Sequence, residues 1–424
     1  MRRLGSLAFR SVVTAIVLLL AWSNLKLYFP PTVEADFGKV PRNALPHLNW
    51  LKEELEGGAG EEMQKLFPEG YFFSHALYGL AWVEMGLRSD AHRKGAVQQA
   101  RWALGNIRSS AGRAPFPSDL PPGHGMFYSG WRNHLLSGIV LLGGEDAELD
   151  LLRSWCDELA VALEGSSAWP WLASYRGQVW PCDAPPGVHA MCVYDHVTGE
   201  GRYSAFVKKW VDAVANKLDP EYGMITHMVD AGSGLPVGFP RGTSQTILLR
   251  FLADIDPGLA IGQYRLFQRH FLANVWGLPG VLEYPRGVRE RGDVDSGPLV
   301  AGMSISATVV GMGVAQLYGD HAFARAVSQS GEVAGLPMGT KQRKYLGGVL
   351  PAGDAFVVHA TTARPWLRDG GDFDIEPTPV TGFWRWGIHL LSMSILGLVF
   401  LLWRSFGLYL DAKSRSSGVA PSGL

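Results

Sequence analysis

The segment 128–163 has the sequence YSGWRNHLLSGIVLLGGEDAELDLLRSWCDELAVAL and predicts the building unit of the chain. Its two apolar-rich parts, Tyr128–Leu142 and Ala147–Leu163, each have the length and spacing of a helix. A short Gly-Gly-Glu-Asp connection joins them, and helices joined by so short a turn lie antiparallel and in contact. The segment therefore predicts a helical hairpin.

Similar helical segments occur on both sides of this hairpin, separated by loops rich in Gly, Pro and Asp. They are Phe72–Leu87, Ala91–Ile107, Pro186–His196, Gly201–Leu218, Thr243–Leu252, Leu259–Trp276, Leu299–Tyr318 and Asp320–Glu332. Strand signals are sparse, the best being Ala355–His359 and Gly280–Glu283, so we expect a mainly α fold. About a dozen paired helices predict a barrel of six helical hairpins, an (α/α)6 toroid. A superhelical repeat is the rival architecture, but no sequence period recurs from hairpin to hairpin.

The C-terminal part of the chain contains a segment suited to a membrane. Trp386–Trp403 is 18 residues long and almost wholly apolar, with His389 as its only titratable group. Arg385 and Arg404 flank it, as is typical of the two membrane interfaces. At about 1.5 Å of rise per residue the segment can nearly cross a hydrocarbon core, which predicts a transmembrane helix.

The N-terminus carries a shorter apolar run, Ser11–Trp22, which follows basic residues. Such a run is typical of a signal peptide or a short anchor; we expect an uncleaved anchor, with cleavage at the Ala21 and Ser23 spacing as the alternative. Basic residues lie before the first span and after the last, and by the positive-inside rule we expect both termini in the cytoplasm. The expected location is the inner or plasma membrane. The expected segments are an anchor at 1–30, an extracytoplasmic (α/α)6 domain at 40–360, a linker at 361–382, a transmembrane helix at 383–404 and a cytoplasmic tail at 405–424.

Composition argues against several classes of partner and cofactor. A net charge of -1, with no basic run that alternates with aromatic residues, makes nucleic acid an unexpected partner. The 12 histidines lack ligand spacing and cofactor motifs are missing, so we expect neither a metal nor another cofactor. Of the three cysteines, Cys182 and Cys192 could pair, but buried free thiols are the preferred interpretation. Composition leaves the oligomeric state open.

The loop Tyr175–Asp183, YRGQVWPCD, is the first candidate for chemistry. In a barrel of helical hairpins the helices supply packing, while the loops at one end are free to carry polar groups. Pro181 and the turn after it place Asp183 at the start of the next helix. We expect Asp183 to be either an N-cap alone or a catalytic carboxylate, with Trp180 beside it as a ligand-binding ring.

The loop Glu283–Pro298, EYPRGVRERGDVDSGP, is the second candidate. Asp293 and Asp295 are two residues apart and point the same way in an extended backbone. We expect one of them to reach a site and the other to bind Arg286 or Arg289. Half of a calcium-binding loop is the alternative, although a third acidic ligand and the distal Glu of an EF-hand are missing.

The loop Pro121–Asn133 is the third candidate, because aromatic residues beside an Arg and an Asn can stack on a sugar or prenyl ligand and hydrogen-bond to it. Two further candidates, His227 and Arg241, lie near the turn 232–234. The substrate-binding candidates from these loops are Tyr128, Trp131, Trp180, Glu283, Arg286, His227 and Arg241.

The stretch from Phe72 to about Glu332 resembles the linalool dehydratase/isomerase family. Four segments carry the likeness: 75–81 (HALYGLA), 126–130 (MFYSG), 193–223 with its Val-Tyr-Asp and Leu-Asp-Pro motifs, and 292–297 (GDVDSG) followed by Gly319-Asp320. The resemblance implies a barrel of six helical hairpins. It also adds Tyr78, in the first segment, to the substrate-binding candidates.

The family dehydrates and isomerises a monoterpene alcohol with cysteines, a histidine, and acidic and tyrosine residues. The resemblance places Asp183 where the family has one catalytic cysteine and Trp131 where it has the histidine. The matched positions Tyr128, Asp293 and Asp295 remain polar. A site that has lost the family's thiol and imidazole and has a carboxylate at the cysteine position is expected to use carboxyl groups for its catalysis.

Paired carboxylates on facing loops suit the cleavage of a glycosidic bond, because one protonates the leaving oxygen and the other activates water. We therefore expect a membrane-anchored carbohydrate-active hydrolase or lyase, with Asp183 as general acid and Asp295 or Asp293 as base, acting on a glycan or small molecule. One alternative is a hydro-lyase or isomerase for a terpenoid alcohol. Another is a non-enzymatic glycan-binding or assembly protein.

Overall fold

The computed structural model describes residues 2–368, 370, 373–380 and 383–416, and this part of the chain is mainly helical with little sheet. Its helices are α1 (Arg2–Lys26), α2 (Ala44–Glu56), α3 (Ala59–Leu66), α4 (Gly70–Arg88), α5 (Asp90–Ile107), α6 (Ser110–Arg113), α7 (Gly125–Leu141), α8 (Asp146–Glu164), α9 (Ala184–Thr198), α10 (Ser204–Ala215), α11 (Gly242–Ile255), α12 (Pro257–His270), α13 (Ile305–Leu317), α14 (His321–Ala334), α15 (Pro351–Thr362) and α16 (Trp386–Ser416). Two 3-10 helices are Pro181–Asp183 and Leu346–Gly348.

Five short strands form two small sheets. The strands are β1 (Met228–Val229), β2 (Pro236–Val237), β3 (Leu272–Val275), β4 (Leu278–Leu282) and β5 (Met303–Ser304). β1 pairs with β2 antiparallel, and β3, β4 and β5 are neighbours in that order, with Val281 opposite Ser304. The second sheet holds both ends of the loop 283–302, which follows β4 and leads into β5.

The segments Pro31–Val275 and Pro279–Val380 form one compact unit. In this unit α4 packs against α7, α7 against α9, α9 against α11, α11 against α13, α13 against α15, and α15 against α4. Each of these six helices also packs against a second helix: α5, α8, α10, α12, α14 and, for α15, α2. The hairpin expected at 128–163 is the pair α7 and α8.

Burial distinguishes the six helices of this series from their partners. α4 and α7 are buried on nearly all sides, whereas α8 buries one stripe that includes Leu152, Cys156 and Leu159. Small residues let the buried helices approach closely: a Cβ added to Gly79 would lie 2.7 Å from the Cβ of Ala103. A helix that is covered all round belongs to the interior of a fold, and one with a single apolar stripe belongs to its outer layer.

Three predicted elements differ from the structure. The strand expected at Ala355–His359 is wrong, because these residues lie inside α15, where packing against α4 and α13 overrides the strand preference of the local sequence. The helix expected at Leu259–Trp276 ends earlier, and its last residues form β3. The helix expected at Leu299–Tyr318 begins later, after the side chain of Ser304 caps it by accepting a hydrogen bond from its first turn.

The described residues of the expected linker, 361–382, are bound to the compact unit rather than extended into solvent. The backbone N–H of Trp366 donates to Asp254 Oδ2 at 2.8 Å, and that of Thr378 donates to Asp320 Oδ1 at 3.0 Å. α15 also continues to Thr362. Backbone hydrogen bonds of this kind hold a connection against its domain.

A second compact unit consists of the described residues of 1–30, 276–278 and 381–424. In it α1 packs against α16, and both contain segments long and apolar enough to cross a membrane: Phe9–Lys26 and Trp386–Ser405. Asn24 Nδ2 donates to Ser392 Oγ at 2.8 Å, so a polar contact joins the two helices. α16 runs past the expected end of the transmembrane helix.

Candidate acid–base site

Asp183 lies at the junction of the 3-10 helix Pro181–Asp183 and α9, and it is only 6% exposed. It occupies the N-cap position, but its carboxylate makes no capping hydrogen bond in the described structure, so the interpretation as an N-cap alone is wrong. Instead, Ser174 Oγ donates to Asp183 Oδ2 at 2.5 Å, and Cys182 Sγ lies 3.7 Å from Oδ1. The backbone N–H of Phe127, in α7, donates to Ser174 Oγ at 3.1 Å, which leaves the Ser174 proton for Asp183.

The carboxyl group of Asp183 holds its proton unusually well. Its pKa is raised to about 7, chiefly by burial; the hydrogen bonds from Ser174 and Cys182 act against this rise, and the negative charges of Asp295 and Glu69 contribute to it. Charges act on one another strongly only over short distances, so these three carboxyl groups belong to one region. A carboxyl with such a pKa is well suited to give up a proton at neutral pH.

Asp293 is held by Arg241, which lies just before α11. Arg241 Nη1 and Nη2 donate to the two oxygens of Asp293 at 2.6 and 2.8 Å, and the backbone N–H groups of Asp295 and Ser296 donate to Oδ1. Burial works against ionisation, but these hydrogen bonds and the charge of Arg241 lower the pKa of Asp293 to about 2. The expected partners Arg286 and Arg289 are therefore wrong for Asp293.

Arg241 also binds a second carboxylate, Glu283, from Nε at 2.6 Å. Thr243 Oγ1 donates to the same Glu283 oxygen at 2.8 Å, while Glu283 Oε2 has no hydrogen-bond partner among the described residues. Burial raises the pKa of Glu283 despite the charge of Arg241. Arg241 is thus a fixed bridge from the start of α11 to two points of the acidic loop 283–302, its first residue Glu283 and Asp293 near its middle.

His227 connects this bridge to the surroundings of Asp183. His227 Nε2 lies 3.4 Å from Arg241 Nη1, and Nδ1 lies 2.6 Å from Ser244 Oγ, which also hydrogen-bonds to the thiol of Cys182. Burial and, to a smaller extent, the charge of Arg241 lower the pKa of His227 to about 4, so the imidazole is neutral at pH 7. A continuous chain of polar side chains therefore runs from Asp183 to Asp293.

Asp295 is exposed to solvent, as Asp293 is, but the hydrogen bonds of Arg241 go to the carboxylate of Asp293. Its backbone is fixed, because its N–H donates to Asp293 Oδ1 at 3.1 Å and its carbonyl accepts a 2.6 Å hydrogen bond from Ser306 Oγ. Reduced hydration raises the pKa of Asp295, as do the charges of Asp293 and Glu69, while Arg241 lowers it. Within the described structure, Asp295 is thus a carboxylate of this loop that Arg241 does not bind.

Glu69 is a further carboxylate of this region, and the sequence analysis missed it. It stands at the N-cap position of α4, and its Oε1 accepts a hydrogen bond from the hydroxyl of Tyr175. Burial raises the pKa of Tyr175, as does the charge of Glu69. The sequence Pro68-Glu69-Gly70 before an apolar helix is a weak signal for such a position, since acidic residues are common at helix starts.

The aromatic candidates fall into two groups. Trp180 packs edge-to-face on Tyr175 at 5.7 Å between ring centroids, so it lies next to the Glu69 contact. Tyr128 and Trp131 are buried among aromatic rings of α4 and α7. The ring of Tyr128 contacts that of Phe72, and the ring of Trp131 contacts that of Phe127. The indole Nε1 of Trp131 has no hydrogen-bond partner among the described residues.

Two expected binding residues make contacts that serve packing. The hydroxyl of Tyr78 donates to Gln99 Oε1 at 2.8 Å, which turns the ring toward α5. Arg286 Nε donates to the carbonyl of Arg269 at 3.0 Å, and its Nη2 donates to the carbonyl of Leu272, so the side chain anchors the loop to α12 and β3. Neither residue contacts Asp183, Asp293 or Asp295 in the described structure.

A cavity of about 510 Å³ lies along the acidic loop. Its apolar wall includes Leu282, Val288 and Leu299, and its polar wall includes Tyr284. The Tyr284 ring lies 5.6 Å from the guanidinium group of Arg241, so the cavity and the Arg241 bridge share a wall. The volume is within the range of small-molecule sites.

Potential metal ligands are dispersed in the described residues, and the three cysteines are free thiols. No group of three or more His, Cys, Asp or Glu side chains placed to hold a metal ion occurs in that part of the chain. Cys156, Cys182 and Cys192 are all free, so the Cys182–Cys192 disulfide does not form. Burial raises the pKa of Cys182 well above its usual value, which keeps this thiol protonated.

The comparisons with known proteins identify no family. No family model matches the chain, and the curated proteins contain no significant match to it. The function must therefore be argued from the site.

Proposed function

We propose that the compact unit formed by Pro31–Val275 and Pro279–Val380 is an (α/α)6 toroid. The order of packing neighbours supports this architecture, because the series α4, α7, α9, α11, α13 and α15 returns to α4 and each member has a second helix as partner. The polar chain from Asp183 to Asp293 joins the starts of α9 and α11. Such a position agrees with a ligand site at one end of a helical ring.

We propose that the protein is an enzyme that cleaves a carbon–oxygen bond by general acid–base catalysis, as a hydrolase or lyase acting on a glycan or a related hydroxylated molecule. The observation that carries this proposal is the buried carboxyl of Asp183, whose pKa of about 7 lets it hold a proton near the charges of Asp295 and Glu69. The partly buried ring of Trp180 beside Tyr175 supports a ligand with a flat or hydroxylated face.

The proposed reaction assigns separate roles to the carboxyl groups. Asp183 gives its proton to the leaving oxygen while the carbon–oxygen bond breaks and its electron pair stays with that oxygen. In a hydrolysis, Asp295 takes a proton from the water whose oxygen bonds to the carbon; in an elimination, Asp295 takes a proton from the neighbouring carbon and a double bond forms. Asp293 is assigned no proton transfer, because its hydrogen bonds to Arg241 keep it ionised and occupied.

The test uses the full chain in detergent micelles with a panel of glycans and the variants Asp183→Asn and Asp295→Asn. Loss of about a hundredfold or more in turnover by each variant is expected for a general acid or base. Asp212→Asn is the matched control, since that exposed carboxylate pairs with Lys208 on α10. Unchanged turnover in Asp183→Asn would exclude the proposed mechanism, and glycan binding without turnover that persists in both variants would instead identify a non-enzymatic binding protein.

The second candidate is a hydro-lyase or isomerase for a terpenoid alcohol, as the resemblance to linalool dehydratase/isomerase implies. The apolar wall of the loop cavity and the ring cluster around Phe127 favour an apolar ligand. Asp183 would then protonate the alcohol oxygen, so that water leaves with the electron pair of the carbon–oxygen bond. Gas chromatography of linalool, geraniol and myrcene incubated with the protein tests this candidate, and Asp183→Asn must abolish any conversion.

We propose that the chain is an integral protein of the inner or plasma membrane, with its large unit on the extracytoplasmic side. The length and apolar character of Phe9–Lys26 and Trp386–Ser405 support the membrane location, and the basic residues near both termini support the orientation. Protease added outside intact spheroplasts is expected to digest the large unit. Full protection of that unit would reverse the orientation.

A further inference from the structure

The turn between β3 and β4 presents a large apolar side chain to its surroundings. Trp276 is 75% exposed and has a left-handed backbone with φ of 51°, followed by Gly277 with φ of 85°. A non-glycine residue in this region carries a conformational cost, and an exposed indole gains no burial that offsets it. The exposed indole in this turn therefore indicates a contact with a partner that covers the ring.

The same turn is part of the compact unit that contains α1 and α16. A Cβ added to Gly387, in the first turn of α16, would lie 2.6 Å from the carbonyl oxygen of Trp276. A Cβ added to Gly277 would lie 3.7 Å from the carbonyl oxygen of Trp384. The turn is thus in backbone contact with the residues at which the apolar helix begins.

The surroundings of this contact have the composition of a membrane interface. Phe383 and Trp386 are exposed on the same unit, and the guanidinium group of Arg385 lies 4.5 Å from the ring of Trp384 and 5.2 Å from that of Tyr28. Aromatic rings next to basic residues are enriched where a transmembrane helix leaves the hydrocarbon core, because one part of each side chain is apolar and the other can meet polar headgroups.

We propose that the Trp276 turn is an additional membrane contact of this protein, with its indole in the headgroup region of a phospholipid bilayer. Its continuity with the start of α16 argues for lipid as the occupant, since a residue in contact with the first turn of a membrane-crossing helix lies at the depth where that helix enters the bilayer. The turn then joins the two helices as a third point of attachment, and it restrains rotation of the anchor. This inference rests on the proposed membrane location of α16 and not on the catalytic proposal.

The experiment places an environment-sensitive NBD label at position 276 in the full chain, using Trp276→Cys in a Cys192→Ser background, and compares detergent-free liposomes of phosphatidylcholine and phosphatidylglycerol. Val161→Cys is the matched control, because Val161 on α8 is 73% exposed and belongs to the other compact unit. Leu401→Cys on α16 reports the hydrocarbon core. Cys156 and Cys182 are buried and stay in place.

The expected result is a blue-shifted emission at position 276 relative to position 161, with quenching by lipids that carry nitroxide near the headgroup. Emission at 276 equal to that at 161 overturns the proposal. The same holds if the emission at 276 is blue-shifted but is not quenched by nitroxide lipids, since protein and not lipid then covers the label. An aqueous signal at both 276 and 401 also overturns it, because α16 is then outside the bilayer.

Discussion

Ser174 Oγ donates a 2.5 Å hydrogen bond to Asp183 Oδ2, and the hydroxyl is itself fixed by the backbone of α7. Among the contacts that lower the pKa of Asp183, this hydrogen bond has the largest effect, because a hydrogen bond donated to a carboxylate favours its charged form. It opposes the effect of burial on the pKa of Asp183. The protonation of Asp183 is therefore set by a balance that single substitutions can move in either direction.

Ser174→Ala is expected to raise the pKa of Asp183 above about 7, because the ionised form loses its donor. The rise should be about one to two pH units, given the usual strength of hydrogen bonds to charged groups. Infrared difference spectroscopy of the carboxyl band against pH measures it. Ser74→Ala is the control, since this buried hydroxyl donates to the carbonyl of Gly70; an unchanged titration in Ser174→Ala would contradict the assigned role.

Asp183→Asn is expected to change the pH dependence of stability. Because the folded pKa of Asp183 lies above the unfolded value of 3.8, its favourable contribution is complete below pH 3.8 and is lost as the pH rises through about 7. The loss amounts to about 1.4 kcal/mol per pH unit in this window, so the variant should gain about 4 kcal/mol relative to the natural chain between pH 4 and pH 8.

Urea denaturation in detergent at a series of pH values measures this difference in the free energy of unfolding. The pH dependence of Asp212→Asn should follow that of the natural chain. Parallel stability curves for Asp183→Asn and the natural chain would show that the pKa of Asp183 is not raised in the folded protein.

Glu69→Gln is expected to lower the pKa of Asp183, because it removes a negative charge that acts on that carboxyl. Tyr175→Phe should shift it less, since the charge of Glu69 remains. The alkaline limb of a pH–activity profile, where the general acid loses its proton, or the carboxyl titration of Asp183 reports the change. Glu62→Gln removes an exposed carboxylate that pairs with Lys65 and should leave the titration where it is; a shift as large as that of Glu69→Gln would rule out a specific effect.

Asp293→Asn and Asp295→Asn are expected to have different effects: the first lowers the stability of the protein, and the second removes its activity. Asp293→Asn should destabilise the protein by about 1 kcal/mol, a modest loss because its carboxylate is 44% exposed. Since the folded pKa of Asp293 is lowered to about 2, this contribution is present above pH 3.8 and is lost as the pH falls through about 2. Asp295→Asn should not destabilise the protein at pH 7, because burial and nearby negative charges raise the pKa of Asp295, but it should remove activity.

Urea midpoints at pH 7 and pH 2.5, together with turnover, test this pair of variants. If Asp295→Asn is the destabilising substitution and Asp293→Asn the inactive one, the assignment of the two carboxylates must be exchanged.

The sequence led to part of the site because some signals are local. Asp183 follows a proline at the start of a helix, and Asp293 and Asp295 stand in a loop too polar for a buried element. Glu69 was missed because its role depends on Tyr175, which is 106 residues away in sequence. Tyr78 was predicted to bind substrate through the family resemblance, but its ring faces α5. The sequence could not predict this direction, because a helix buried on all sides has no apolar periodicity that shows which face meets which neighbour.

The amino-acid sequence alone determined a mainly helical chain built from hairpins and two terminal segments suited to a membrane, because helix length, apolar periodicity and charge next to a span are properties of neighbouring residues. Tertiary structure alone decided which carboxyl keeps a proton and which is paired. Arg241 reaches Asp293 across 52 residues, and Asp183 is buried by helices from several hairpins. Hydration and pairing depend on which distant residues meet, so they are settled only when the helices pack.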